Sequence, residues 1–71
     1  MKITYDDKSD LLYIRLDESK QDVINKRVTD DIVLDIGTGE RIVGIEILGA
    51  SSHVDLNKIL PIQHEGIKAS V

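Results

Sequence analysis

The amino-acid sequence predicts an α+β fold: a small antiparallel β-sheet of four to five strands, connected as a meander, followed by one short C-terminal helix. Three observations carry this. Apolar and polar residues alternate in successive segments, the pattern of half-buried strands. Runs of Asp, Ser, Thr and Gly separate the segments, as turns require. The last alternating segment breaks at Gly49 into Ala-Ser-Ser, after which Leu56, Ile59 and Leu60 take helical spacing.

Lys2 to Asp6 alternates, with Ile3 and Tyr5 on one side. Asp7-Lys8-Ser9-Asp10 is a polar turn, and Leu11 to Leu16 returns with Leu12, Ile14 and Leu16 on one face and Leu11, Tyr13 and Arg15 on the other. The two segments read as a β-hairpin. Asp17 to Asp22 is a charged loop. Val23 to Val28 is the weakest strand, and Asn25, Lys26 and Arg27 suit it to a sheet edge, where charge discourages unwanted pairing. Thr29-Asp30-Asp31 turns the chain into Ile32–Ile36, where Ile32, Leu34 and Ile36 alternate with Val33 and Asp35. The glycines of Gly37-Thr38-Gly39-Glu40 permit positive φ in the next hairpin turn.

Arg41 to Leu48 is the last long strand, with Val43, Ile45 and Ile47 on one side and Gly44, Glu46 and Leu48 on the other. Its aliphatic character makes Gly44 to Leu48 the central strand, with Ile45 its most buried residue. The helix runs from about Ser52 to Leu60, with Ser52 accepting from the Asp55 N–H and the Asp55 carboxylate reaching back. Pro61 cannot continue it. Residues 1–61 form one β-rich domain with its terminal helix, and 62–71 form a C-terminal tail.

At 71 residues the chain is short for a stable core, and it has no Cys, Phe or Trp. Without cysteine there is neither a disulfide nor a thiolate metal site. Ile, Leu and Val must build the core, and one short helix covers only part of the aliphatic sheet face. A homo-oligomer, a dimer or larger, is therefore expected. The net charge of −4 argues against direct nucleic-acid binding, which needs clustered Lys and Arg, and leaves room for a basic protein partner. No apolar run approaches ~20 residues, so no membrane span is expected. The start of the chain has no signal-peptide pattern, and cytoplasmic residence is the default expectation.

The ordered set Tyr5-Asp6, Asp10-Leu11-Leu12-Tyr13-Ile14-Arg15-Leu16, Val33-Leu34-Asp35, Gly44-Ile45-Glu46-Ile47-Leu48 and Ala50-Ser51 resembles the bacterial and archaeal family called domain of unknown function 2283. The resemblance runs from Ile3 to Ser51. It departs at the second hairpin, where Gly37 stands in place of the family's second Asp. Some members are thought to sit beside small toxin-like genes, which implies an antitoxin-like partner role.

Among possible sites, Asp35, Gly37, Gly39 and Glu40 faintly suggest a calcium loop, but glycine supplies no ligand oxygen, and a turn is the better reading. No catalytic arrangement, metal set or cofactor motif is readable, so an enzyme is not expected. The candidate ligand or interaction residues are Glu46, Asp35, Tyr13 and Arg15. Their structural reading pairs Glu46 and Asp35 with Arg15 across strands, has Asp6 and Asp10 capping the first turn, leaves Tyr13 as packing surface with its hydroxyl at the sheet edge, and gives Ser51 and Ser52 capping roles. His53 marks the helix start, and His64 is too distant in sequence to join it in a helical ligand pair. Two functional readings follow: a self-associating protein-interaction module, with the antitoxin-like partner role that the resemblance implies; or, as the alternative, a small-ligand or divalent-metal-binding protein using the acidic cluster on the sheet.

Overall fold

A computed structural model describes residues 1–59. Leu60, Pro61, His64 and the predicted tail 62–71 lie outside the described residues. Five strands form one antiparallel sheet: β1 (Lys2–Asp6), β2 (Leu11–Arg15), β3 (Ile24–Arg27), β4 (Ile32–Ile36) and β5 (Ile42–Leu48), followed by one short helix, α1 (Leu56–Ile59). The α+β class and antiparallel pairing are as the alternation predicts.

The strand order is β1-β2-β5-β4-β3. Meander pairing holds within β1–β2 and within β3–β4–β5, and the chain leaves it once, between β2 and β3. That connection crosses the β4–β5 turn and makes β2 to β5 a Greek key. The crossing is bonded in place. Val43 O accepts from the backbone N–H groups of Leu16 and Asp17 at 2.8 and 3.1 Å. Gln21 Oε1 accepts from the Thr38 N–H at 2.8 Å, and Arg41 Nε donates to Asp17 Oδ2 at 2.9 Å. Asp17 also accepts from the Ser19 hydroxyl and N–H, and these bonds hold its carboxyl well below the usual range.

β5 is central and β3 is an edge with every residue exposed, both as predicted. The most buried side chain of β5 is Val43, not Ile45, which is half-buried. The cause is a register shift. Asp35 faces Gly44 but Ile36 faces Ile42, which leaves Val43 as the extra residue of a bulge beneath the crossing loop. In the β4–β5 turn only Gly39 of the two glycines takes positive φ, at 66°, followed by Glu40 at 62°.

The core sits on one half of the aliphatic face. Ile3, Tyr5, Leu12 and Ala50 are its buried centre, and Ile14, Ile47, Val54, Leu56 and Ile59 pack against them. Leu12 is fully buried at 0 % exposure. Helical structure starts later than the capping pattern predicts. Gly49 takes φ 62°, Ala50–Ser52 form a 3-10 turn, and Ser52 caps nothing. Asp55 is the cap instead, its Oδ1 accepting from the Asn57 N–H at 3.1 Å. The 3-10 turn consumes the residues that would otherwise have started the helix, so α1 begins at Leu56. The described turn of α1 packs on one half of the sheet, and among the described residues Ile32, Leu34, Ile36 and Ile45 are half-buried while Leu16 is exposed.

Candidate functional site

The opposite face of the sheet gathers the four candidate residues. The register sets Thr4, Tyr13, Glu46, Val33 and Arg27 in one row across the strands. The next row runs Lys2, Arg15, Gly44, Asp35 and Asn25. Glu46 and Asp35 are thus diagonal neighbours on adjacent strands, close enough for their carboxyl groups to interact.

Gly44 explains how Tyr13 reaches them. A Cβ on Gly44 would collide with the Tyr13 hydroxyl and ring. The glycine therefore opens a channel along which the ring lies flat across β5. The hydroxyl donates to Asp35 Oδ2 at 2.9 Å, and Asn25 Nδ2 donates to Oδ1 at 2.5 Å. Asp35 is only 7 % exposed, yet each carboxylate oxygen has a donor, as a buried charge requires. Tyr13 is therefore not an edge hydroxyl over packing surface. It is the central strut of a polar bridge from β2 to β4.

Arg15 does not pair with either carboxylate. Its Nε donates to the Asp17 carbonyl at 3.1 Å, turning the side chain toward the crossing loop. Glu46 meets Asp35 instead. Burial pushes the Glu46 carboxyl up, and the hydrogen bond and negative charge of Asp35 push it further, with Arg27 opposing. Burial also raises the Tyr13 phenol, followed by its bond to Asp35. A protonated Glu46 carboxyl can donate to Asp35. Among the described residues, no three His, Cys, Asp or Glu side chains are grouped to hold a metal ion.

A second constellation ties the first turn to the end of β5. Asp10 sits at φ 55°, a conformation Asp tolerates better than most residues. Its Oδ1 accepts from the Tyr5 hydroxyl at 2.8 Å and the Ser51 N–H at 3.0 Å, and its Oδ2 from the Ser51 hydroxyl at 2.7 Å. Its carbonyl accepts from the Ala50 N–H at 2.9 Å. Bonds to Ser51 and then Tyr5 lower the Asp10 carboxyl, and the same Asp10 contact raises the Tyr5 phenol. Asp6 does cap the turn, accepting from the Lys8 N–H at 3.0 Å, but Asp10 reaches 41 residues along the chain. Ser51 is thus a donor in this latch rather than a helix cap. His53 stands before α1 rather than at its start, with Nε2 2.9 Å from Asp31 Oδ2. The residues that sequence reasoning missed are Asn25, read only as an edge residue, and Asp17, read only as loop charge.

The family model for Protein of unknown function (DUF2283) matches residues 2–51 of the 71-residue chain, and the chain belongs to this family. No curated protein and no solved structure matches the chain.

Proposed function

We propose that this member of the DUF2283 family is a self-associating protein-interaction module that works by binding and not by catalysis. The observation that supports the reading is a row of exposed aliphatic side chains at the end of the sheet away from α1. Ile24, Ile36 and Ile42 face one another across β3, β4 and β5. Leu16 and Met1 continue the row one step beyond the paired Arg15 and Lys2. Ile24 is 73 % exposed, Leu16 44 % and Ile42 39 %. The half-exposed long side chains present on the order of 400 Å², the size of patch that is often functional on a monomer.

A second copy is the occupant proposed, with row against row in a two-fold arrangement. Burying about 400 Å² on each of two copies at ~25 cal/mol per Å² returns about 20 kcal/mol gross, against an association cost of about 4–15 kcal/mol. The closed symmetry needs no further partner. Sedimentation equilibrium on the full chain at tens of micromolar tests this. A dimer or larger species is expected for the native chain and a monomer for Ile42→Asp, with Val28→Asp, outside the row, remaining associated. A native chain that sediments as a folded monomer refutes the reading.

A second reading, a basic, toxin-like protein partner in the cytoplasm, is favoured by charge at the opposite end of the sheet. There the β1–β2 and β3–β4 turns bring Asp6, Asp7, Asp10, Asp30 and Asp31 to one end, with Lys8 among them. Co-purification of the full chain with a basic protein, released by salt, tests it, and retention by Ile42→Asp separates it from self-association. The ligand-binding alternative would place its ligand at Glu46, Asp35 and Tyr13, and titration with divalent cations followed by amide shifts at Asp35 and Glu46 tests that.

A further inference from the structure

The edge strand β3 combines an open backbone edge with a pair of cations and an apolar groove. All four of its residues are exposed. A groove of about 830 Å³ runs beside it, floored by Ile24, Ile36 and Ile42 and walled by the β4–β5 turn, with Glu40 on that wall. Among the described residues the Lys26 side chain makes no hydrogen bond or ion pair, and the Arg27 guanidinium donates through Nη1 to the Asp30 carbonyl. A chain of net charge −4 thus presents two adjacent cations on its open sheet edge.

Those cations disfavour the self-pairings of the strand that are centred on them. Two-fold antiparallel pairing sets the central residue opposite its own copy. Centred on Lys26 or Arg27, it opposes like charges directly, which is destabilising. Centred on Asn25, it sets Lys26 against Ile24 and leaves the charge facing an aliphatic chain. The same cations suit a foreign strand of opposite charge. The unpaired backbone of an edge strand is a template for an added strand, and the side chains set which strand is accepted.

We propose that β3 is a β-augmentation site that accepts an extended acidic segment of a partner protein as a sixth, antiparallel strand. Reading along the incoming strand, two carboxylates stand opposite Arg27 and Lys26, a polar residue opposite Asn25, and an aliphatic residue opposite Ile24 at the mouth of the groove. The proposal does not rest on self-association. The outer backbone of β3 faces outward in the plane of the sheet, whereas the aliphatic row stands out of that plane.

The test is an amide NMR titration of the full chain with the peptide acetyl-Ser-Glu-Glu-Thr-Ile-Thr-amide and with its counterpart in which both Glu are Lys. Shifts are expected at residues 24–27, with the acidic peptide bound at least about ten-fold more tightly than the basic one. The double variant Lys26→Glu, Arg27→Glu should invert that preference, and Lys26→Gln, a milder change, should weaken it. No shift with the acidic peptide at millimolar concentration, equal affinity for the two peptides, shifts confined to other strands, or a preference unmoved by both variants would each overturn the proposal. The sedimentation result stands or falls separately.

Discussion

Glu46→Gln is the substitution that separates a carboxyl paired with a cation from one pressed against another carboxyl. Glu46 stands between Tyr13 and Val33 in the register and diagonal to Asp35. Burial and then Asp35 raise its carboxyl above the usual value. A carboxyl whose folded pKa is raised contributes its full stability below the unfolded pKa and loses it as pH rises through the folded one. At neutral pH Glu46 therefore works against folding. Glutamine keeps the shape, removes a like charge diagonal to Asp35 worth at most ~0.2–1 kcal/mol, and adds an N–H that can donate to Asp35, a net gain of ~0.5–1.5 kcal/mol. The expected result is a stabilisation of about 1 kcal/mol at pH 7.5, or roughly 4–8 °C in Tm for a domain of this size. The gain should shrink as pH falls through the raised folded pKa and vanish only well below the unfolded value of about 4.3, toward pH 3. Urea unfolding of both proteins at pH 7.5, 5.5 and 3 reads the difference, because carboxyls out of contact with Glu46 cancel and what remains belongs to Glu46 together with Asp35. A Glu46→Gln protein less stable than the native one at pH 7.5, as pairing with Arg15 would give, refutes the reasoning, and so does a gap that does not change with pH.

Asp10→Ala removes the acceptor for Tyr5 and for both Ser51 donors and puts alanine at positive φ, so urea unfolding should show a loss of about 2–4 kcal/mol, with Asp10→Asn, which tolerates that φ, losing less. Gly44→Ala should push the Tyr13 ring off β5 and break its bond to Asp35, a cost of about 1–3 kcal/mol, which Tyr13→Phe should approach while retaining the ring contact. Leu12→Ala should cost about 2–5 kcal/mol through lost burial and a cavity, and Ile45→Ala clearly less because the side chain is half-buried; equal losses in calorimetry would show that Ile45 is covered in solution.

The strands were legible because each obeys a local rule. Alternation marks β1, β2 and β4, the run from Ile42 to Leu48 marks the central strand, and Asn25-Lys26-Arg27 marks the edge. What was not legible depends on residues far apart in sequence. Tyr13 and Asp35 are 22 residues apart, and nothing in either segment shows that Gly44 will lie between them and let the ring cross. Asp10 and Ser51 are 41 apart, so Asp10 looked like a residue of its own turn. The bulge that buries Val43 in place of Ile45 is a property of the β4–β5 pairing and leaves no mark on β5 alone. The late helix start has the same character: Ser52 has the chemistry of a cap, but Gly49 at positive φ spends it in a 3-10 turn.

The extent of the family match has a physical counterpart. Residues 2–51 include all five strands and end at Ser51, the residue whose N–H and hydroxyl close on Asp10. Up to that latch, the first turn, the sheet and the end of β5 form one bonded unit, with Ala50 fully buried against Leu12. Helix α1 lies beyond it and adds Leu56 and Ile59 to one side of the aliphatic face. The half that α1 does not reach is the half bearing Ile24, Ile36 and Ile42. A second copy that buried the row, as proposed, would add to this architecture without displacing any contact that the described unit makes.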